Sequence, residues 1–461
     1  MSYRDFLESK IQKVDSFGFE VNKNTLNDKA FDFQRDITSW ALKKGKAAIF
    51  ADCGLGKTIM QGEWANQIFK HTGENILILA PLGVTLQTKE ELKNVLNIDS
   101  TICRSQDDVM PGINITNYEM LGNFNPKEFI GVILDESSIL KNFTGSTRIA
   151  LTETFKDTPF KLCCTATPAP NDYIELLNHA DFLNVMETSK ALATWFINDM
   201  KTGDWRLKGH AIKDFWRWVS SWSVYIKTPS DIGYSDEGYI LPEHNEIVDT
   251  IKISLIDKSY NDGFLRKIET SATSFHKEKR NTAEARAKRC AELVNQTNEQ
   301  YIIWCDTDYE SELLMKYIPE AVEVRGSHKP SFKEESANKF KNGNIRVLIS
   351  KPKIFGYGMN FQRCHNAIFC GLTYSYENYY QAVKRLLRFG QRNQVNTTIV
   401  IGSTEKHILE TVRKKQEKQR IMELNIMNSI KDIQLTNFNG KKKIEPVYTK
   451  KLELPKWLKE A

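Results

Sequence analysis

Residues 50–60 read FADCGLGKTIM, and this stretch decides the fold. An apolar segment at 47–50 leads into it, the run GLGKT lies at 54–58, and a helix-like segment follows directly. When a strand, a glycine-rich loop and a helix follow one another in this order, backbone N–H groups at the N-terminus of the helix bind phosphate. The full phosphate-loop pattern has glycine where this chain has Ala51. The sequence therefore predicts a nucleotide-binding loop in an α/β domain.

Each residue type in this run suits phosphate chemistry. The backbone of Gly54, Leu55 and Gly56 is predicted to turn its N–H groups toward the phosphates. Lys57 would reach the β and γ phosphates, and the Thr58 hydroxyl would hold Mg²⁺. A glycine-rich turn that contains a lysine by chance is the alternative interpretation.

Length and composition set the broad class. The 461-residue chain is long enough for two to three domains of about 150 to 200 residues each. Charged residues make up 26% and apolar residues 41%, which is typical of a soluble globular protein. No apolar run reaches about 18 residues and no charged-then-apolar signal opens the chain, so we expect a cytoplasmic protein. The eight cysteines include no C-x-x-C pair, which favours buried, reduced thiols over metal ligands or disulfides.

The net charge of +6 is mild, but basic residues cluster at 277–289, 413–420 and 441–443. Each cluster alone favours the interpretation of a solvated helix face. Together the clusters are compatible with a polyanionic partner.

Short apolar segments alternate with helix-like segments in both halves of the chain. Continuous apolar strands separated by helices indicate parallel sheets that are covered on both faces. The predicted strands are 47–51, 75–80, 112–116, 130–135 and 161–165 in one set, and 301–305, 321–325, 345–350, 366–371 and 397–401 in a second. The sequence therefore predicts two α/β domains, each with its ligand site at the carboxyl ends of its strands.

The region between the two sets, residues 191–245, is rich in tryptophan and is predicted to be mostly helical. Its tryptophans could stack on nucleic-acid bases, but large aromatic side chains more often pack an interior. The core interpretation is favoured for all five, which are Trp195, Trp205, Trp216, Trp218 and Trp222.

An acidic pair, Asp135-Glu136, ends an apolar strand in the same domain as the phosphate loop. Asp135 is predicted to hold Mg²⁺, and Glu136 to orient or deprotonate the attacking water. A solvated acidic turn is the alternative. The run Thr165-Ala166-Thr167 also follows a strand, and its hydroxyl groups are placed to hydrogen-bond the acidic loop.

In the second domain, Gln381, Arg385 and Arg388 are spaced to share one face of a helix. Guanidinium groups offered across a domain cleft stabilise the transition state of phosphoryl transfer. We therefore predict that both arginines act as arginine fingers; a basic surface helix is the alternative.

In their order along the chain, these motifs resemble those of superfamily 2 helicases and ATPases. The resemblance is greatest to the Swi/Snf branch and to the compact DEAD/DEAH-box helicases of phages and prophages, and it extends from about residue 30 to about 420. It implies RecA-like domains at 1–190 (ATP-binding) and 246–430 (helicase C-terminal). The remaining segments would be a helical insertion at 191–245 and a basic tail at 431–461.

The resemblance also assigns further residues. Gln34 corresponds to the glutamine that reads adenine, and Gly358 belongs to the glycine motif that couples ATP to the nucleic-acid strand. Residues 80–82 and 116–118 resemble segments that contact the nucleic-acid backbone.

The terminal motif distinguishes the branch. Ordinary DEAD and DEAH proteins have glycines where this chain has Lys384 and Leu387, and the ending Gly390-Gln391 is similar to the Swi/Snf form. The resemblance implies a motor that uses ATP and Mg²⁺ and follows nucleic acid, with duplex or branched DNA as the first choice. An RNA helicase and a nucleotide-gated switch that binds DNA or recruits partners are the alternatives.

Overall fold

The computed structural model describes residues 16–439 except 143, 200–204, 254–274 and 356–358. The strands are β1 Lys46–Ala51, β2 Ile76–Ala80, β3 Ser100–Ile102, β4 Ile113–Asn117, β5 Gly131–Asp135, β6 Phe160–Thr165, β7 Phe196–Asn198, β8 Trp205–Leu207, β9 Ser223–Ile226, β10 His244–Ile251, β11 Tyr301–Trp304, β12 Val322–Val324, β13 Val347–Ser350, β14 Asn366–Cys370 and β15 Val395–Gly402. The α-helices are α1 Asp32–Lys44, α2 Lys57–Thr72, α3 Thr85–Leu96, α4 Ser146–Thr154, α5 Glu175–Phe182, α6 Thr188–Trp195, α7 Ile212–Trp222, α8 Phe275–Asn295, α9 Asp308–Tyr317, α10 Pro330–Lys341, α11 Pro352–Phe355, α12 Tyr376–Val383 and α13 Lys406–Asn439.

The first domain is built on a parallel sheet with the strand order β3-β4-β2-β5-β6-β1-β9. Side chains of β1 alternate between two cores: Ala48 and Phe50 pack on one face, and Ala47 and Ile49 on the other. A sheet with both faces buried needs apolar residues at every position. This explains why the strand appears in the sequence as a continuous apolar run.

The second domain repeats this architecture. Its sheet has the order β10-β15-β14-β11-β13-β12 with every neighbouring pair parallel, and a core lies on each face. All ten predicted strands are present, and their ends differ from the predicted ends by at most two residues. The two sheets with their helices form the predicted tandem RecA-like α/β fold.

The sequence did not predict β3, β9 and β10, which also belong to the two sheets. β3 has only three residues. β10 lies at the edge of the second sheet and contains no buried residue. Because β10 faces solvent as an edge strand, its hydrophobic pattern is weak.

The tryptophan-rich region contributes to the first domain. Four of its tryptophans are buried and Trp205 packs partly buried against the same core, which confirms the core interpretation. Strand β9 follows α7 and pairs in parallel with β1. The described residues from 191 to the end of β9 therefore pack on the first domain, whereas His244 and Asn245 begin β10 of the second sheet.

Helix α13 connects the two domains. It begins on the second, where Ile408 is buried, and packs Met422, Ile426 and Ile430 into the core of the first. Farther along, the Gln434 side chain accepts a hydrogen bond from Tyr225 N (2.7 Å) and donates one to Tyr225 O (2.9 Å). Because Tyr225 lies on the edge strand β9, this amide closes part of the sheet edge. The first nine residues of the predicted basic tail, 431–439, continue this helix.

Two predictions from composition can be compared with the structure. No helix in the described ranges combines the length and the apolar character needed to span a membrane. Seven of the eight cysteines are buried and Cys53 is partly exposed, which confirms that most of them are buried.

The packing of α13 on the first domain predicts that Ile430→Ala lowers the free energy of unfolding of that domain. Ile430 is 2% exposed, and replacing a buried isoleucine by alanine costs about 2–5 kcal/mol. Urea unfolding followed by tryptophan fluorescence measures this loss, because the tryptophans of α7 lie in the same core. Lys431→Ala changes the adjacent exposed residue and should alter stability by less than about 0.5 kcal/mol. Equal effects of the two substitutions would contradict this packing.

Candidate active site

The predicted phosphate loop lies at the carboxyl end of β1, and α2 begins at Lys57. Gly54 and Gly56 have φ angles of 91° and 76°, a conformation that favours glycine. A Cβ atom on Gly56 would lie 2.2 Å from Gln34 Nε2, and one on Gly54 would lie 3.0 Å from Phe389 N. The loop is thus enclosed by Gln34 on one side and by the second domain on the other.

Gln34, which lies on α1, hydrogen-bonds the phosphate loop. It is buried, its Nε2 donates to Leu55 O (2.9 Å), and its Oε1 accepts from Phe31 N (2.9 Å). Three aromatic rings gather beside it: the Phe31 and Tyr239 centroids are 5.8 Å apart, and those of Tyr239 and Phe389 are 4.9 Å apart. Aromatic faces stack on nucleobases. The reading of adenine by Gln34 stays a prediction.

Lys57 and Thr58 lie at the start of α2. Lys57 Nζ donates to Ala51 O at 2.9 Å, so the ammonium group lies over the loop. Thr58 hydrogen-bonds the carboxylate of Glu91 on α3. Burial raises the pKa of Glu91, against the charge of Arg388 and this hydrogen bond. Glu91 could not be identified from the sequence, because a glutamate on a polar helix is typical of a solvated face.

The acidic pair lies at the same sheet edge, because β5, β6 and β1 are parallel neighbours. Asp135 Oδ1 accepts from Gln61 Nε2 at 2.7 Å. Burial, and then the charge of Glu136, raise the pKa of Asp135 to about 6, against the charge of Lys57. Glu136 has a left-handed backbone (φ 52°), and its Oε2 accepts from Thr165 Oγ1 at 3.4 Å. The predicted contact between the threonine run and the acidic loop is therefore confirmed.

A buried histidine contacts the residue that follows the acidic pair. His179 on α5 lies with Nε2 3.2 Å from Ser137 Oγ and Nδ1 3.2 Å from Glu175 O. Burial lowers the pKa of His179 to about 4, so the imidazole is neutral at physiological pH. Sequence reasoning did not find this contact, because His179 lies in a separate apolar helix.

The second domain presents Gln381, Arg385 and Arg388. Gln381 Oε1 accepts from Arg385 Nη2 at 2.8 Å. Both arginines donate to Met359 O, Arg388 at 3.0 Å and Arg385 at 3.4 Å. The structure therefore brings the three predicted side chains together.

Their placement on one helical face was wrong. Helix α12 ends at Val383, and Arg385 and Arg388 lie in the turns that follow. The chain turns there because Leu386 is fully buried in the second-domain core, and Arg388 N bonds Leu386 O instead of a carbonyl four residues earlier. The turn, not a helix face, groups the arginines.

The second-domain residues lie against the phosphate loop. Arg385 Nη2 is 3.8 Å and Gln381 Oε1 is 3.9 Å from Cys53 Sγ. Burial, and then the neighbouring charge of Arg385, lower the pKa of Arg388 to about 10. Arg385 is buried and Arg388 is partly buried, and such a pair of cations beside a phosphate loop is suited to bind anionic oxygens. Gly358 lies outside the described residues.

The side chains of the acidic pair fit the predicted Mg²⁺ and nucleotide. Asp135 and the Thr58 hydroxyl offer the hard oxygen ligands that Mg²⁺ prefers alongside phosphate oxygens. Among the described residues, the buried Gln61 Oε1 beside Asp135 has no hydrogen-bond partner. Burial, and then the charge of Glu136, disfavour the charged form of Asp135 and raise its pKa, and a bound cation would favour that charged form.

Asp135→Asn is predicted to stabilise the metal-free protein, and more so at pH 7.5 than at pH 5. The pKa of Asp135 is raised from 3.8 to about 6 on folding, so the folded state holds this proton more tightly. Its contribution to stability is complete below about pH 4 and is lost as the pH rises through about 6. The advantage of the variant should therefore grow by about 1–2 kcal/mol between the two pH values.

Thermal unfolding in a chelating buffer, with Tm compared at both pH values, tests this. Asp107→Asn, at an exposed position, is the control and should show no such change. An advantage of Asp135→Asn that is independent of pH would contradict the prediction.

Part of the second domain is similar to a known protein family. Residues 285–390 match the helicase conserved C-terminal domain. The rice (Oryza sativa subsp. japonica) protein "DEAD-box ATP-dependent RNA helicase 35A" is 28% identical over 143 residues, which are 30% of this chain and 23% of the rice protein. The chain thus matches about a quarter of that relative's length.

A solved structure, "Sulfolobus solfataricus SWI2/SNF2 ATPase core in complex with dsDNA", aligns with a TM-score of 0.43 and 16% identity, covering 91% of this chain and 99% of that chain. The resemblance to phage proteins stays a prediction. The chain thus joins a segment similar to the helicase conserved C-terminal domain to a first parallel-sheet domain that carries the phosphate loop and the acidic pair.

Proposed function

We propose that this protein is a nucleic-acid-dependent ATPase of the helicase or translocase type. The observation that carries the proposal is the contact between the two domains at the phosphate loop. Gly54 lies against the backbone of Phe389, the residue after Arg388. Groups suited to bind phosphate and groups suited to stabilise its transfer thus meet in one cleft. Opening and closing such a cleft is how hydrolysis is coupled to movement.

In the first domain, Lys57 binds the β and γ phosphates. Thr58 and Asp135 would hold Mg²⁺, which when bound neutralises phosphate charge. Glu136 orients the attacking water and accepts its proton. The contact with Thr165 fixes the Glu136 carboxylate relative to β6, so the base does not depend on substrate for its orientation.

In the second domain, Arg385 and Arg388 stabilise the negative charge that develops on the transferred phosphoryl group. Gln381 orients Arg385 through the 2.8 Å hydrogen bond. Arg388 is partly buried, and a charge in a partly dehydrated site acts more strongly than one in water.

Duplex or branched DNA is the proposed track. This choice rests on the similarity of the terminal motif to the Swi/Snf form. RNA is the second candidate, because the rice relative is named an RNA helicase. The basic cluster at 413–420 does not decide between them, since Arg413 pairs with Glu246 and Lys415 Nζ donates to Tyr374 O at 2.7 Å.

Lys57→Ala and Glu136→Gln are predicted to abolish turnover in different ways. Lys57→Ala removes a phosphate contact and should weaken ATP binding, whereas Glu136→Gln should bind ATP normally and stall hydrolysis. Fluorescent-nucleotide binding and steady-state ATPase assays separate the two effects. Hydrolysis at the wild-type rate by Glu136→Gln would show that the assigned base is wrong.

Duplex or branched DNA is predicted to stimulate ATPase more than RNA of equal length. A motor that follows the phosphate backbone should bind without sequence preference and lose affinity steeply as salt rises, while A-form RNA presents a different groove. ATPase assays with duplex DNA, single-stranded DNA and RNA, together with displacement of a third strand from duplex DNA, test this. Stronger stimulation by RNA would favour the RNA helicase, and turnover without strand displacement would favour a nucleotide-gated switch.

A further inference from the structure

The phosphate loop carries an acidic side chain, Asp52, that has none of the roles above. Its Oδ1 accepts hydrogen bonds from Tyr380 OH and from Cys53 N, each at 2.7 Å. Its Oδ2 lies 2.9 Å from Lys384 Nζ. The Asp52 and Lys384 side chains are only 17% and 14% exposed. A carboxylate of the first domain is thus bound by two side chains of the second.

Those two partners belong to the segment that carries the arginines. Tyr380 lies on α12 directly before Gln381, and Lys384 caps the C-terminus of α12, directly before Arg385. Lys384 also occupies a position where ordinary DEAD and DEAH proteins have glycine. Any movement of the Tyr380 and Lys384 side chains away from Asp52 would therefore move the arginine turn as well.

Charge makes this contact persistent. Burial by itself would raise the pKa of Asp52, but the charge of Lys384 and the hydrogen bonds from Tyr380 and Cys53 lower it to about 2. Burial by itself would lower the pKa of Lys384, but the charge of Asp52, the hydrogen bond to it and the nearby Cys53 and Glu423 together raise that pKa. Both groups are therefore ionised at physiological pH. A buried ion pair also resists partial rupture, because removing one partner leaves the other charged and unpaired.

The other polar contacts described between the arginine segment and the phosphate loop are weaker than the contact of Asp52. They reach Cys53 Sγ at 3.8 and 3.9 Å, from Arg385 and Gln381, and sulfur is a weak hydrogen-bond partner. The contact of Asp52 is charged, short and made by two donors of the second domain. It is therefore suited to fix the distance between the arginine turn and the phosphate loop.

We infer that Asp52, Lys384 and Tyr380 are positioning residues that hold Arg385 and Arg388 over the phosphate loop. They set the rate of the chemical step and contribute little to nucleotide affinity. This inference rests on the proposed ATPase function. It also gives a purpose to the departure of Lys384 from the DEAD and DEAH pattern.

The test is a double-mutant cycle on the full chain with saturating nucleic acid. Asp52→Asn and Lys384→Met should each lower kcat by about 10-fold or more, since small misplacements of reacting groups cost up to about 10²-fold. KM for ATP should stay within about 2-fold of wild type. The double variant should be no slower than the slower single variant, because the residues act as one unit. Tyr380→Phe, which removes one hydroxyl group, should show a smaller loss of the same kind.

A matched ion pair elsewhere provides the control. Lys93 and Asp99 pair at 2.8 Å on the exposed surface of the first domain, and Lys93→Met with Asp99→Asn should leave kcat unchanged. Losses that multiply in the Asp52/Lys384 double variant, or a higher KM with unchanged kcat, would overturn the inference.

Hydrogen–deuterium exchange tests the contact without relying on hydrolysis. Asp52→Asn should speed exchange across 376–391 and leave β11 as protected as in the wild type. If the wild type shows no ATPase with any nucleic acid, the proposed function fails, while faster exchange still shows that the contact holds the segment. Unchanged exchange across 376–391 beside normal ATPase would overturn the inference alone.

Discussion

The parallel pairing of β5 with β6 and of β6 with β1 is the interaction on which the candidate active site depends. The carboxyl ends of parallel strands lie at the same edge of a sheet. The phosphate loop, the acidic pair and Thr165 therefore lie close together because of the strand pairing alone. The backbone hydrogen bonds of the ladder fix these distances. The second domain then needs only to present its arginine turn to that edge.

The sequence predicted what depends on local pattern. Strands buried on both faces are continuous apolar runs, and the glycines of the loop and the carboxylates at the end of β5 are required by phosphate chemistry. Prediction from the sequence failed where packing between segments that are distant in the chain determines the structure. The end of α12 follows from burial of Leu386, which competes with helical spacing. His179 and Glu91 reach the site through tertiary contacts, and β10 lacks the apolar pattern of a central strand.

Some charged side chains in the cleft between the domains are paired with opposite charges, and others lie beside like charges. Asp52 and Lys384 satisfy each other, whereas Asp135 has its pKa raised by burial and by Glu136, and Arg388 has its pKa lowered by burial and by Arg385. Like charges held close together in a buried site store unfavourable energy. A ligand with anionic oxygens and a divalent cation relieves both repulsions at once. The charges of the cleft therefore favour such a ligand before any specific contact is counted.

Helix α13 has a consequence for the order in which the chain can fold during synthesis. Its residues Met422, Ile426 and Ile430 complete a core that belongs to the first domain, and Gln434 covers the edge of β9. A ribosome makes these residues after nearly all the rest of the described chain. Until they emerge, the nascent first domain exposes an apolar face and a free strand edge, the features that invite aggregation. The protein thus has two domains in its folded structure, but the first domain cannot complete its folding before the second has been synthesised.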